Sequence, residues 1–296
     1  MKHNIKITAI LLLMFIVTQF IGIYVVNHYT SGQEELPYGM ETPVVEQESE
    51  FVTSLLPSII IAFIIAISLM FLLMKFKSAM ILKAWFFIVV AIALGITINA
   101  FAPDYKYTSI IILAIALPLA FMKIFRRNFV VHNLTELLVY PGIAAVFVPI
   151  LNILTMVILL LLISGYDMWA VWHSGIMQKM ARYQMNKLQI FAGFFIPYAS
   201  KRVKEKIKNM KKSELKKGKI KINLAILGGG DVIFPIITAG VVMARLGLGP
   251  ALMVTLGATL GLGYLFFAAE KKKFYPAMPF ITIGILVMLI ISYLIF

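Results

Sequence analysis

The sequence predicts an all-α fold, a polytopic membrane protein of about nine transmembrane helices with its N-terminus cytoplasmic and its C-terminus exterior. Three observations carry this reading. Of 296 residues, 61% are apolar and only 14% are charged, too few polar groups to cover a soluble domain of that length. Apolar runs recur that are long enough to cross about 30 Å of hydrocarbon at roughly 1.5 Å per residue. The runs are continuously apolar, where barrel strands would alternate over about ten residues.

The segments fall near residues 5–27, 52–74, 81–101, 108–122, 131–150, 153–173, 222–243, 248–269 and 276–296. The first has a basic flank, Lys2 and Lys6, and resembles a signal. Its apolar core of about 22 residues exceeds the 7–15 of a signal peptide and no A-x-A site follows, so it reads as a retained signal anchor. The fourth is short, and the division between the fifth and sixth rests on Pro149 and Asn152, so a count of eight is also compatible.

Orientation follows from the basic residues, which are retained on the cytoplasmic side of helix ends. With the N-terminus inside, all 27 lysines and arginines except Lys106 and Arg245 fall on that side. The first exterior loop carries Glu34, Glu35, Glu41, Glu46, Glu48 and Glu50 and no basic residue. The net charge of +14 is thus a topology signal with an attraction to anionic headgroups, and nucleic-acid binding is not its reading. The absence of cysteine removes disulfides from the argument.

Three parts follow: a six-helix part over 1–176, a basic cytoplasmic loop over 177–221, and a three-helix part over 222–296. Within the loop, the apolar island Leu188 to Tyr198 reads as an extension of the sixth helix into the interface, with a surface segment or a groove plug as alternatives. The Lys-rich stretch KKSELKKGK reads as a solvated linker.

Of the three aspartates, Asp104 falls in a short exterior loop, whereas Asp167 and Asp231 lie within apolar segments. A carboxylate there costs about 2.5 to 3.5 kcal/mol on insertion scales, which marks both as functional candidates. Asp167 precedes Lys179 by roughly 18 Å of helix and Asp231 follows Lys221 by roughly 15 Å, so both sit at similar depth in the cytoplasmic half. Two acids level on antiparallel helices can face one another and share a proton. That is the requirement of aspartic proteolysis, in which one carboxylate activates water and its protonated partner polarises the peptide carbonyl. Gly228, Gly229 and Gly230 permit close backbone approach beside Asp231, and Pro235 leaves the Asp231 carbonyl without its helical amide. The segment is expected to be irregular at its acid.

These residues resemble the presenilin and signal-peptide-peptidase family. Tyr166-Asp167 matches its YD motif, Gly228-Gly229-Gly230-Asp231 its GxGD motif, and Pro276-Ala277-Met278 its PAL motif, with Met in place of Leu. The small size resembles the archaeal presenilin homologues. The resemblance implies an intramembrane aspartic endopeptidase in a prokaryotic cell membrane, with Asp167 and Asp231 catalytic and no cofactor. It also implies that Tyr166, the glycines and Pro276-Ala277-Met278 lie along the substrate. Substrates would be transmembrane segments with an exterior N-terminus, unwound so that an extended strand can add to backbone near the acids. A homo-oligomer is compatible with the sequence. A different class, an ion channel or ion-coupled transporter using the same two aspartates, predicts paired helix breaks in both halves, and only the second half shows one.

The remaining residues suggest no other chemistry. His3, His28, His132 and His173 are scattered without metal-ligand spacing. Ser164 and Ser174 lack a nucleophile context. Asn133-Leu134-Thr135 fits the glycosylation pattern but lies on the cytoplasmic side or in the membrane, where the match is fortuitous.

Overall fold

The computed structural model describes residues 5–31, 36–37, scattered positions from 57 to 68, 79–103, 105, 107–126, 128–174, 192–198, 223–269 and 275–296. Eight helices are α1 (Ile5–Ser31), α2 (Ala79–Asn99), α3 (Thr108–Phe125), α4 (Phe129–Phe147), α5 (Ile153–Trp169), α6 (Gly229–Leu246), α7 (Leu248–Ala268) and α8 (Met278–Ile295). Among the described residues eight helical spans are long and apolar enough to cross a membrane. The second segment expected, 52–74, lies largely outside those residues, as does most of the basic loop.

The division between the fifth and sixth segments has a local cause. After α4 a single 3-10 turn, Val148–Ile150, contains Pro149, and Asn152 then caps α5, its Oδ1 accepting from the Thr155 amide at 2.8 Å and the Thr155 hydroxyl at 2.7 Å.

Two expectations need correction. The seventh segment is not helical from residue 222, because Asn223–Gly228 forms a strand, β2, and the helix begins only at Gly229. Within the island before it, Gly193–Tyr198 forms a strand, β1, where a helix extension was expected, and residues 188–191 lie outside the described residues. The strands pair antiparallel with Gly193 opposite Gly228 and Tyr198 opposite Asn223. The all-α class thus holds for the bundle and gains one two-stranded sheet.

Helix α6 sits at the centre. It touches α1, α4, α5, α7, α8 and both strands, and Val232, Ile236, Ala239, Val241 and Val242 are almost wholly buried along it. Helices α7 and α8 pack closely, since a Cβ on Gly257 would run into the Gly284 carbonyl, so small residues bring the backbones together. This rigid pair holds the start of α8 against the end of α5.

Candidate active site

Asp167 lies in the last turn of α5, just before a π-helical turn, Ala170–Ser174. Single π turns interrupt the regular ladder and are frequent where a side chain must be aimed. Asp167 is 7% exposed, and its Oδ2 accepts from the Met278 amide at 3.1 Å, with the Ala277 amide also directed at the carboxyl. The source of those donors is the start of α8. A helix leaves its first four amides unpaired, and here Ala277 at the N-cap supplies no side-chain cap. A carboxylate from another helix takes that role. One turn back, the Ser164 and Thr282 hydroxyls meet at 2.8 Å and fix α5 against α8.

Asp231 is the third residue of α6, after an N-cap at Gly228 with extended backbone (φ −63°, ψ 147°). Its carboxyl reaches back to the Gly228 amide. This is half of a capping box, in which an acid three residues into a helix satisfies the N-cap amide. The GxGD pattern therefore encodes a strand end, a helix start and the orientation of its acid. Pro235 follows inside the helix, and the neighbouring Val232 carbonyl accepts from Nε2 of the buried Gln19 on α1 at 3.0 Å. The irregular turn beside Asp231 is thus supported from a second helix.

The acids on α5 and α6 are close enough to act on one another electrostatically. The Pro276-Ala277-Met278 segment contributes the Ala277 and Met278 amides to Asp167. Tyr166 is half-buried, with its ring 6.3 Å from Trp169. The glycines are not equivalent: a Cβ at Gly229 would come within 2.8 Å of the Tyr140 Oη, one at Gly228 within 3.1 Å of Asp231 Oδ2, and one at Gly230 only within 3.7 Å of the Phe234 ring. Among the described residues no cluster of three or more His, Asp or Glu could hold a metal.

Some residues of this region escaped the sequence reading. Glu136 lies inside the fifth apolar segment, where the rule that singled out the aspartates applies equally. Lys123, read as a topology charge, is paired with it at 2.6 Å. His132 and Asn133, both set aside, contact β1.

The family model described as signal-peptide peptidase, presenilin aspartyl protease matches residues 12–296. No curated protein matches the chain at the sequence level. Among solved structures, one of a presenilin family intramembrane aspartate protease in a C222 crystal form superposes with a TM-score of 0.64 at 18% identity, covering 98% of this chain and 99% of that one. One in a P2 form gives 0.62 at 18% identity, with 97% of each chain covered. The channel or transporter alternative finds no support in these likenesses. The chain therefore belongs to the signal-peptide-peptidase and presenilin family of aspartyl proteases, and it is an integral membrane protein that cleaves transmembrane substrates within the bilayer.

Proposed function

We propose that Asp167 and Asp231 are the catalytic dyad. One carboxylate takes a proton from water as its oxygen attacks the scissile carbonyl, and the protonated partner donates to the carbonyl oxygen. The resulting gem-diol collapses as the amide nitrogen receives a proton, and the C–N bond breaks. The observation that carries this reading is that the two acids, on helices packed against each other, lie within electrostatic reach, with Asp167 held by the amides of Ala277 and Met278. Those amides support a role for Pro276-Ala277-Met278 in holding Asp167 as well as substrate. Tyr166 and Gly228-Gly229-Gly230 line the approach to the acids.

The substrate is a transmembrane segment that unwinds and adds an extended strand to the edge of β2, whose last residue leads directly into the helix turn of Asp231. The basic residues support a cytoplasmic N-terminus and an exterior C-terminus, and the small size, like that of the archaeal presenilin homologues, supports a prokaryotic cell membrane. The substrate then has an exterior N-terminus. The basic loop over 177–221 links the six-helix and three-helix parts.

Purified protein incubated with a membrane-spanning reporter peptide tests the dyad. Asp167→Asn and Asp231→Asn should each abolish cleavage while keeping the wild-type thermal midpoint, since neither acid can serve as base and electrophile at once. Substantial cleavage by either folded variant rules out the assignment. Peptide isosteres bearing a hydroxyl at the scissile carbon should inhibit more tightly than the peptides they replace.

A further inference from the structure

The dyad makes no use of a second buried polar cluster, which lies on the other side of the hairpin. Lys123 of α3 and Glu136 of α4 form an ion pair at 2.6 Å with side chains 4% and 2% exposed. Such a pair within a membrane bundle is expensive unless its geometry is used. Its contacts converge on β1. The Gly193 amide donates to Glu136 Oε1 at 3.4 Å, and His132 Nε2 donates to the Gly193 carbonyl at 2.8 Å. Asn133 engages both backbone groups of Phe195, donating to its carbonyl at 2.8 Å and accepting from its amide at 3.1 Å.

Alternate residues of a strand present their amides and carbonyls to the same edge. Gly193 and Phe195 turn theirs to α4, so residues 192, 194 and 196 face β2. The Gly229 amide, donating to the Ala192 carbonyl at 3.2 Å, continues that parity. Pro197, next along the α4 edge, has no amide to offer and sits where a proline breaks no ladder bond. The outer edge of β1 is therefore filled by side chains and ended by proline. On β2 the groups of residues 224, 226 and 228 face away from β1, and among the described residues the sheet ends there.

We propose that His132, Asn133 and the Lys123–Glu136 pair are positioning residues that close the outer edge of β1 and fix the hairpin against α4. An extended substrate segment is then admitted at the β2 edge alone, in one register relative to Asp231. This rests on the reading that substrate pairs with β2. The register matters because a slip of one residue moves the scissile bond by about 3.3 Å and turns every side chain to the other face.

The test uses the full chain and a membrane-spanning reporter peptide, with KM, kcat, thermal midpoint and the masses of all products. Asn133→Ala removes both bonds to Phe195. It should raise KM about tenfold and shift cleavage onto neighbouring bonds, with a fall in thermal midpoint that leaves the protein folded at the assay temperature. The joint change Lys123→Met with Glu136→Leu leaves no charge unpaired and should do the same. If one of the two fails to fold, the other decides. Either variant, folded and cutting the wild-type bonds with the wild-type KM, overturns the latch. A reporter with N-methylated amides around the scissile bond separates this from the underlying reading: if wild-type protein cuts it with unchanged KM, strand addition at β2 is wrong whatever Asn133→Ala does.

Discussion

Gly229 has less room than either of its neighbours. A methyl group there would meet the Tyr140 hydroxyl at 2.8 Å, and that ring is 4% exposed and set edge-on to Phe194 at 5.7 Å, so it cannot swing aside. Gly230 faces only ordinary contact with Phe234. The motif would make Gly229 the variable position; the packing makes it the constrained one. Gly229→Ala should therefore destabilise by about 1–3 kcal/mol, the usual cost of overpacking. Gly230→Ala should be neutral or stabilise by roughly 0.5–1 kcal/mol through helix propensity. Adding Tyr140→Phe to Gly229→Ala removes the obstructing oxygen and should recover part of the loss. A thermal-unfolding cycle over the four proteins reads the coupling directly, and additive effects would dismiss the Tyr140 contact as the cause.

At the scale of the element, the start of α8 matters through its backbone. Met278 is 3% exposed and gives its amide to Asp167, so Met278→Leu preserves both the packing volume and the donor. The exchange should cost less than about 1.5 kcal/mol and leave cleavage near normal, whereas Met278→Ala should cost about 2–5 kcal/mol by leaving a cavity. A large loss of turnover in folded Met278→Leu would mean that the side chain itself contacts substrate. The helices were readable in the sequence because a twenty-residue apolar run has one solution in a membrane. The strands were not. From Leu224 the run continues without a polar break through the glycines to Asp231, and a run of six residues does not separate strand from buried helix by periodicity. Its partner lies inside the basic loop, before the Lys-rich stretch, a pairing no local pattern announces. The two acids stand out in the sequence because charge at depth is rare, and Glu136 obeys the same rule, its charge met by Lys123 from another helix.

The whole molecule turns its apolar surface outward. Leu13, Phe20, Ile110, Leu161, Leu260 and Ile290 are all about half exposed or more, as expected where lipid is the solvent and the polar groups are drawn inward to the dyad and the latch. Lys123 belongs to that interior, so its charge is balanced by Glu136 and the orientation of the chain rests on the remaining basic residues. Those residues predict that α3 runs from the exterior to the cytoplasm. At 18 residues it is about 27 Å long, enough to cross the hydrocarbon with one end on each side. Tyr105, 72% exposed, precedes its start, and Arg126, also exposed, follows its end. Since the chain has no cysteine, a single introduced thiol reports without background. Tyr105→Cys should react with an impermeant thiol reagent in intact cells, while Arg126→Cys should react only after the membrane is permeabilised. The reverse pattern would put the hairpin and both aspartates toward the exterior half, and the enzyme would then be fitted to substrates of the opposite orientation.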